Sequence, residues 1–233
     1  MQGATSDRDH WIDARKEFLK REKEFTKARD ALSAARRNLP KLAIEKDYTF
    51  NTTSGQKSLA ELFNGNSQLI IYHFMYGPDW EEGCPSCSLW ADNFEGIDIH
   101  LAHRDISLVF MSTASLDTIQ AYRKRMCWTF DWVSDPKGEF SRDMQVSFSK
   151  AEIEAGAAEY NYGPNGFPST EAPGITVWQR DNDTTYHTYG TFGRGLDMLN
   201  GAYHLMDIAP NGRDEDGLPW PMAWLRRRDQ YEG

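Results

Sequence analysis

Two cysteines separated by two residues, Cys84 and Cys87, are the part of this sequence best suited to chemistry. An apolar, β-branched run at 69–74 comes before them and predicts a buried strand, and residues 88–94 have a helical pattern. A strand, a loop and a Cys-x-x-Cys pair at the start of a helix form the arrangement in which two thiols exchange a disulfide with a partner. The sequence therefore predicts a thiol redox site.

The order of residues around Cys84 predicts its chemical state. Cys84 fits the N-cap position of the helix, and Pro85 fits the first helical position, where its missing N–H costs nothing. A thiolate at Cys84 would lie at the positive end of the helix dipole, which favours ionisation by about 1 kcal/mol. Three acidic residues just before the pair oppose this effect: Asp79, Glu81 and Glu82. We therefore expect a reactive but not strongly acidic thiol, with Cys87 less exposed and placed to resolve a mixed disulfide.

A proline before a later strand is the second candidate feature of the site. Pro173 stands directly before the strand predicted at 174–180. In the cis state it would turn the Ala172 backbone toward the cysteines and offer strand pairing to a substrate peptide. In the commoner trans state it would be a turn proline, and Pro168 is a competing candidate. The predicted substrate groove comprises Trp80, Pro85, Ser86, Ala172 and Pro173.

Two alternatives to redox chemistry stay open at this point. Tetrahedral zinc takes four ligands, and the chain has no second Cys-x-x-Cys and no His-x-x-x-His. A copper or zinc site at the pair would need a further ligand from among His73, His100, His103 and Cys127. The chain could also be a redox-inert interaction protein. The redox interpretation needs no metal and no cofactor. It predicts that His73 is a hydrogen-bonded core residue and that Cys127 is a small buried residue.

Composition narrows the class of protein and its partners. The 233 residues suffice for one α/β domain with appendages, and 39% hydrophobic and 26% charged residues are ordinary for a globular chain. A net charge of −9 argues against nucleic acid as a partner. No apolar run is long enough to span a membrane, and the N-terminus has no apolar core of a signal peptide, so we expect a cytoplasmic protein. In a reducing compartment three cysteines favour a catalytic pair over a disulfide scaffold.

The N-terminal segment, 1–41, predicts one long helix over 8–38. Large apolar residues recur at a spacing of seven: Trp11, Phe18, Phe25, Leu32 and Leu39. So narrow a stripe is typical of a coiled-coil seam, and it predicts either packing across the same domain or a homodimer. Residues 8–41 hold eleven Lys/Arg and six Asp/Glu, a net of +5, against −14 for the remainder. This contrast favours docking of the two parts, within one chain or between two.

The main domain is expected at 42–209. Strands are predicted at 69–74, 106–111, 130–134, 174–180 and 184–189, with helices at 115–125 and 196–206. This order predicts an α/β mixed sheet with helices on both faces, interrupted by a surface insertion at about 147–171. The tail, 210–233, carries Trp220 and Trp224. We expect both to be docked, because exposed tryptophans would form a large apolar patch.

The residues from His73 to Trp80, from Gly83 to Ser88, and Ala91–Asp92 resemble an uncharacterised bacterial family. It is a domain of unknown function, described as a predicted dithiol-disulfide oxidoreductase of thioredoxin-like fold. Stretches at 101–105, 125–128, 187–189, 194–197 and 218–224 are similar too, so the resemblance spans nearly the whole chain. It implies a thioredoxin-like, peroxiredoxin-type core and a redox pair at Cys84 and Cys87. The family has glycine at the position of Cys127, which weakens the case for a third catalytic thiol.

The leading expectation is a thiol–disulfide oxidoreductase that acts on a protein or small-molecule disulfide. Cys84 attacks the partner and Cys87 resolves the mixed disulfide. A peroxide-reducing variant is disfavoured, because no threonine stands three residues before Cys84, where peroxiredoxin motifs place one.

Overall fold

The computed structural model describes residues 5–164 and 167–232. The chain divides between Pro40 and Lys41 into two compact units. The first unit is built on helix α1 (Arg8–Arg36), which begins where the Asp7 carboxylate accepts a hydrogen bond from the His10 N–H at 2.9 Å. No described helix combines the length and the apolar character that crossing a membrane requires.

The second unit holds the strands and the remaining helices. Its strands in the described residues are β1 (Leu42–Ile44), β2 (Thr49–Thr52), β3 (Gly55–Ser58), β4 (Gln68–His73), β5 (Ile106–Ser112), β6 (Asp131–Ser134), β7 (Glu159–Tyr160), β8 (Gly163–Pro164), β9 (Gly174–Asp181) and β10 (Thr184–Phe192). Its α-helices are α2 (Pro85–Phe94), α3 (Asp98–Ala102), α4 (Leu116–Arg125), α5 (Glu139–Asp143), α6 (Lys150–Glu154) and α7 (Gly201–Ile208). Short 3-10 turns lie at 60–63, 193–199 and 228–230.

Eight of the described strands form one mixed sheet in the order β1-β10-β9-β4-β5-β6-β2-β3. Strands β4, β5 and β6 are parallel, and α2 and α4 lie on the crossovers between them. Strand β9 runs antiparallel to β4 and pairs with β10 in a hairpin, after which α7 follows. A parallel β-α-β unit flanked by a hairpin and a closing helix is the thioredoxin-like arrangement, here with the extra strand β6 of the peroxiredoxin type. The predicted fold is confirmed.

The two faces of the central strand β4 belong to two separate cores. Successive side chains of a strand point to opposite faces, and on β4 Ile71 packs in a cluster with Phe140 and Trp178, whereas Tyr72 packs with Phe94. Because Phe140 comes from α5 and Phe94 from α2, helices cover both faces of the sheet, as predicted.

Some elements differ from the sequence prediction. The helix predicted over 196–206 is split: a 3-10 turn ends at Leu199, and the Asn200 side chain then caps α7 by accepting the Tyr203 N–H at 3.1 Å. The insertion contains α6 and the β7–β8 hairpin. Asn165 and Gly166, which the sequence places in this insertion, lie outside the described residues, as do residues 1–4 of the N-terminus.

The docking predicted for the tail is only half correct. Trp224 packs against the core around α2 and donates its indole N–H to Glu215 Oε1 at 2.7 Å. Trp220 is 64% exposed. The turn between them, in which the Ala223 N–H donates to the Trp220 carbonyl at 3.2 Å, brings Trp224 inward and leaves Trp220 outside.

Candidate active site

The cysteine loop reaches α2 with Cys84 at the N-cap and Pro85 at the first helical position, as the sequence pattern predicts. The Cys84 N–H donates to the Met75 carbonyl at 3.1 Å, which ties the loop to the chain just after β4. The Cys84 carbonyl accepts the Ser88 N–H at 3.0 Å and so closes the first turn of α2. Cys84 is therefore held at the positive end of the helix by backbone contacts on both sides.

The two thiols of the pair differ in exposure and in acidity. Cys84 is half-buried and Cys87 is 1% exposed; both are free thiols, and they lie 4.0 Å apart. A hydrogen bond from the Cys87 thiol, followed by donors on the Cys87 and Ser86 backbone, lowers the pKa of Cys84 against the effect of burial. Burial, followed by the hydrogen bond to Cys84, raises the pKa of Cys87 well above its ordinary value. Of the two thiols, Cys84 is therefore the one that ionises more readily, and burial favours the protonated form of Cys87.

Cys87 has two donors of its own at the bottom of the site. The Met75 N–H donates to Cys87 Sγ at 3.5 Å, and the Tyr72 hydroxyl forms a hydrogen bond with the same sulfur. Both contacts lower the pKa of Cys87 and partly offset its burial. A negative charge on the Cys87 sulfur would therefore be stabilised by two hydrogen bonds. Tyr72 was not predicted from the sequence as part of the site; its place on β4, directly before the cysteine loop, was the available signal.

The acidic residues before the pair are largely prevented from opposing the thiolate. Asp79 and Glu81 are exposed, so their charges are screened by water. Glu82 forms ion pairs with Arg125 and, at 2.7 Å, with Arg227. The hydrogen bond from Arg125, and then the positive charge of Arg227, lower the pKa of Glu82. The nearest acid is thus neutralised by two arginines, a contact that sequence analysis did not predict.

Gly83, the residue before Cys84, has no space for a side chain. A Cβ placed there would lie 2.7 Å from the Phe74 ring and 2.9 Å from the Tyr122 ring. Its carbonyl accepts hydrogen bonds from Arg227. The loop before Cys84 is therefore packed between two aromatic rings and a guanidinium group of the tail.

A groove of about 330 Å3 lies beside the two sulfurs. Of the predicted groove residues, Ser86 and Pro173 line it together with Cys84 and Cys87. Most of the other lining residues are apolar: Tyr72, Met75, Trp90, Phe167, Leu196 and Met222. Arg194 and Asp197 add a polar edge. None of these residues was predicted for the groove from the sequence. Phe167 comes from the insertion, Arg194, Leu196 and Asp197 from the turn after β10, and Met222 from the tail, all far from the cysteines in the chain.

Three residues predicted for the groove lie elsewhere than on its wall. The Trp80 indole covers Gly77, where a Cβ would lie 2.8 Å from the indole nitrogen. Pro85 is not among the residues that line the groove, and Ala172 is buried, its N–H donating to the Val146 carbonyl at 2.8 Å. Every peptide bond among the described residues is trans, so Pro173 does not adopt the cis state considered from the sequence.

The residues considered as metal ligands are not gathered around the pair. His73 is buried, its Nε2 lies 2.9 Å from Thr176 Oγ1, and burial lowers its pKa to about 3. His100 and His103 are exposed. In the described part of the chain, no three His, Cys, Asp or Glu side chains form a cluster that could hold a metal ion.

Cys127 is exposed, so the prediction of a small buried residue is wrong. Its φ of +52° is in the left-handed region just after α4, where helices commonly end and where glycine is favoured. That backbone turns the side chain away from the core.

Fold and site together define a thioredoxin-like protein with a Cys-x-x-Cys pair at the start of its first core helix. The chain belongs to the family described as "Bacterial protein of unknown function (DUF899)", which it matches over residues 1–231. The predicted membership is confirmed. A search of curated proteins found no match.

Solved structures similar to this chain are peroxiredoxins. Peroxidoxin BcpB from Mycobacterium tuberculosis is 12% identical with a TM-score of 0.46, over 73% of this chain and 97% of that one. Peroxiredoxin Q from Xanthomonas campestris is 15% identical with a TM-score of 0.42, over 71% and 90%. The mitochondrial 2-Cys peroxiredoxin from Plasmodium falciparum is 12% identical with a TM-score of 0.43, over 73% and 95%. Similarities of this size say nothing about the activity of this chain.

Proposed function

We propose that this protein is a thiol–disulfide oxidoreductase in which Cys84 attacks a disulfide and Cys87 resolves the intermediate. The observation that supports this most directly is the asymmetry of the pair. The half-buried Cys84 has a lowered pKa at a helix N-terminus, and a second thiol, buried and protonated, lies 4.0 Å away. The closing movement needed to reach a disulfide bond of about 2.05 Å is short.

The reaction balances without a cofactor. The Cys84 thiolate attacks one sulfur of a disulfide RS–SR, forming a Cys84–SR mixed disulfide and releasing RS⁻. Cys87 then gives up its proton and attacks the Cys84 sulfur, forming the Cys84–Cys87 disulfide and releasing the second RS⁻. Counted from the Cys84 thiol, which gives up its proton on ionising, the protein loses two electrons and two protons; the two released RS⁻ take up these protons and become two RSH.

The contacts of Cys87 support its role in the second step. A thiol this deeply buried is a poor nucleophile while protonated, because burial disfavours the charged form. The Met75 N–H and the Tyr72 hydroxyl supply hydrogen bonds to the thiolate as it forms. Cys84 meanwhile becomes the electrophile, and its half-buried position on the wall of the groove lets the second leaving group escape.

The test is disulfide reduction by the parent protein and by three cysteine variants. We expect Cys84→Ser to abolish the activity and Cys87→Ser to accumulate mixed disulfides with partners, which mass spectrometry of trapped complexes from cells would identify. Cys127→Ser is the matched control and should retain full activity, because this thiol lies outside the groove. Equal activity in Cys84→Ser and the parent would refute the proposal.

A further inference from the structure

We infer that the site takes a small disulfide with an apolar body, in preference to an extended polypeptide; this rests on the proposed oxidoreductase function. Two independent observations lead to it. The backbone edge next to the cysteines is already paired with the chain's own insertion, and the space that remains is a small apolar groove.

The backbone before Pro173 has no free edge for a peptide. The Ala172 N–H donates to the Val146 carbonyl at 2.8 Å, and the Phe148 N–H donates to the Thr170 carbonyl at 2.8 Å. Between these bonds Ser147 and Glu171 form an antiparallel bridge. A polypeptide that binds by strand addition needs unpaired main-chain donors and acceptors. Here the segment at 146–148 occupies the position such a peptide would take.

Side chains fasten this segment in place. Glu171 Oε1 accepts a buried hydrogen bond from Thr113 at 2.9 Å and a partly buried one from Ser147 at 3.1 Å. Val146, Phe148 and Ala172 belong to one buried apolar cluster. Displacing the segment for a substrate strand would therefore break several hydrogen bonds and expose apolar surface at the same time.

The carbonyl of Pro173 is occupied as well. It accepts a hydrogen bond from the Tyr160 hydroxyl at 2.7 Å, and the Tyr160 oxygen in turn accepts the Gly193 N–H at 2.7 Å. One side chain of the insertion thus joins the turn before β9 to the turn after β10. The Pro173 carbonyl is therefore not available to pair with a bound peptide.

What remains accessible is the groove, and its walls are apolar. Phe167 comes from the insertion and Met222 from the tail, while Trp90 comes from α2. A volume of about 330 Å3 lies at the lower end of the range for small-molecule sites. Aromatic and methionine side chains favour an apolar molecule whose disulfide points at Cys84.

The experiment compares three disulfides on pre-reduced protein in the Cys127→Ser background, in a single turnover. The probes are dithiodipyridine, which is aromatic, hydroxyethyl disulfide, which is small and polar, and insulin, which is a polypeptide. Each rate is divided by that of the same probe with free glutathione, which removes intrinsic reactivity. We expect the normalised rate for dithiodipyridine to exceed that for insulin by roughly tenfold or more, a difference of about 1.4 kcal/mol in barrier.

Wall variants test the groove directly. Met222→Ala and Phe167→Ala should each lower the normalised rate for dithiodipyridine about threefold or more and leave that for hydroxyethyl disulfide unchanged, since only the larger probe needs the wall. Met198→Ala is the matched control, because Met198 is 46% exposed and is not part of the lining. Circular dichroism of each variant verifies folding.

The outcomes separate the two proposals. If insulin matches dithiodipyridine in normalised rate, or if neither wall variant discriminates between the probes, the assignment of a small apolar substrate is overturned and the oxidoreductase function stands. If no probe oxidises the Cys84–Cys87 pair, the oxidoreductase function itself fails.

Discussion

The guanidinium group of Arg227 donates two hydrogen bonds to the carbonyl of Gly83, from Nη2 at 2.7 Å and from Nε at 3.1 Å. Gly83 is bonded directly to Cys84, so a residue of the tail fixes the backbone that presents the Cys84 thiol. The side chain of Arg227 is only 14% exposed and also pairs with Glu82. Charge-assisted hydrogen bonds of this kind are stronger than neutral ones. Arg227 therefore both orients the loop and neutralises its nearest acid.

Replacing Arg227 with glutamine should raise the pKa of the Cys84 thiol. The substitution leaves Glu82 with one arginine fewer and releases the Gly83 carbonyl, and both changes disfavour a thiolate at the N-cap. Thiolate absorbance in the ultraviolet, followed against pH, measures the shift. Stability should fall by about 1.5 to 3 kcal/mol, the range for a hydrogen bond to a charged group.

Two further variants separate this effect from a general loss of structure. Arg226→Gln should leave the pKa unchanged, because Arg226 bonds to the tail carbonyls of Ala223 and Leu225. Arg227→Lys should restore part of the effect by keeping the charge. A pKa that is the same in Arg227→Gln and the parent would show that the tail does not act on the thiol.

Cys87→Ala should also shift the ionisation of Cys84 to higher pH. The Cys87 thiol is the strongest contributor to the lowered pKa of Cys84, and alanine has no donor. A thiolate forms as pH rises through its pKa, so the alkylation rate of the parent should rise at lower pH than that of the variant. Iodoacetamide alkylation against pH, in the Cys127→Ser background, provides the measurement. Coincident profiles would contradict the assigned hydrogen bond.

Because of Glu171, the free energy of unfolding should fall as the pH rises. Burial raises the pKa of Glu171 to about 7, well above that of the unfolded chain. Between the two values the folded protein holds more protons than the unfolded one, so stability falls as pH rises toward about 7 and stays lower above it. Glu171→Gln removes this loss. Relative to the parent, the variant should gain up to about 3 kcal/mol between about pH 4 and pH 8.

Urea unfolding of the parent and of Glu171→Gln, at about pH 4 and at about pH 8, measures this difference in stability. Glu45→Gln, at an exposed position, is the control and should show no pH-dependent gain. A Glu171→Gln variant with the same stability difference at both pH values would mean that the pKa of Glu171 is the same in the folded and the unfolded chain.

The apolar stripe of α1 predicts self-association. Trp11, Phe18 and Phe25 are each at least 51% exposed, at the heptad spacing of a coiled-coil seam. We expect the parent to sediment as a homodimer, and Phe18→Glu with Phe25→Glu to shift the mass toward monomer. Leu19→Glu with Thr26→Glu places the same charges one residue off the stripe and should leave the dimer intact. If the parent protein sediments as a monomer, the prediction of a homodimer is wrong.

Sequence analysis succeeded where structure depends on neighbours in the chain. The N-cap position of Cys84 follows from a strand, a loop and Pro85, all within a few residues. Contacts between residues far apart in the chain could not be predicted in this way. Arg227 donates to the Gly83 carbonyl across 144 positions. The Val146 carbonyl accepts the Ala172 N–H from the other end of an insertion. The exposure of Cys127 depends on a left-handed backbone conformation, which a cysteine in the sequence does not predict.

Trp90 shares the groove with both sulfurs and is almost fully enclosed, its indole N–H held by the Leu196 carbonyl at 3.1 Å. A disulfide next to an indole quenches the fluorescence of the indole, whereas thiols quench it less efficiently. The protein therefore carries a built-in optical reporter: light emitted by this one ring should dim when the pair oxidises and brighten when it is reduced, with no dye attached.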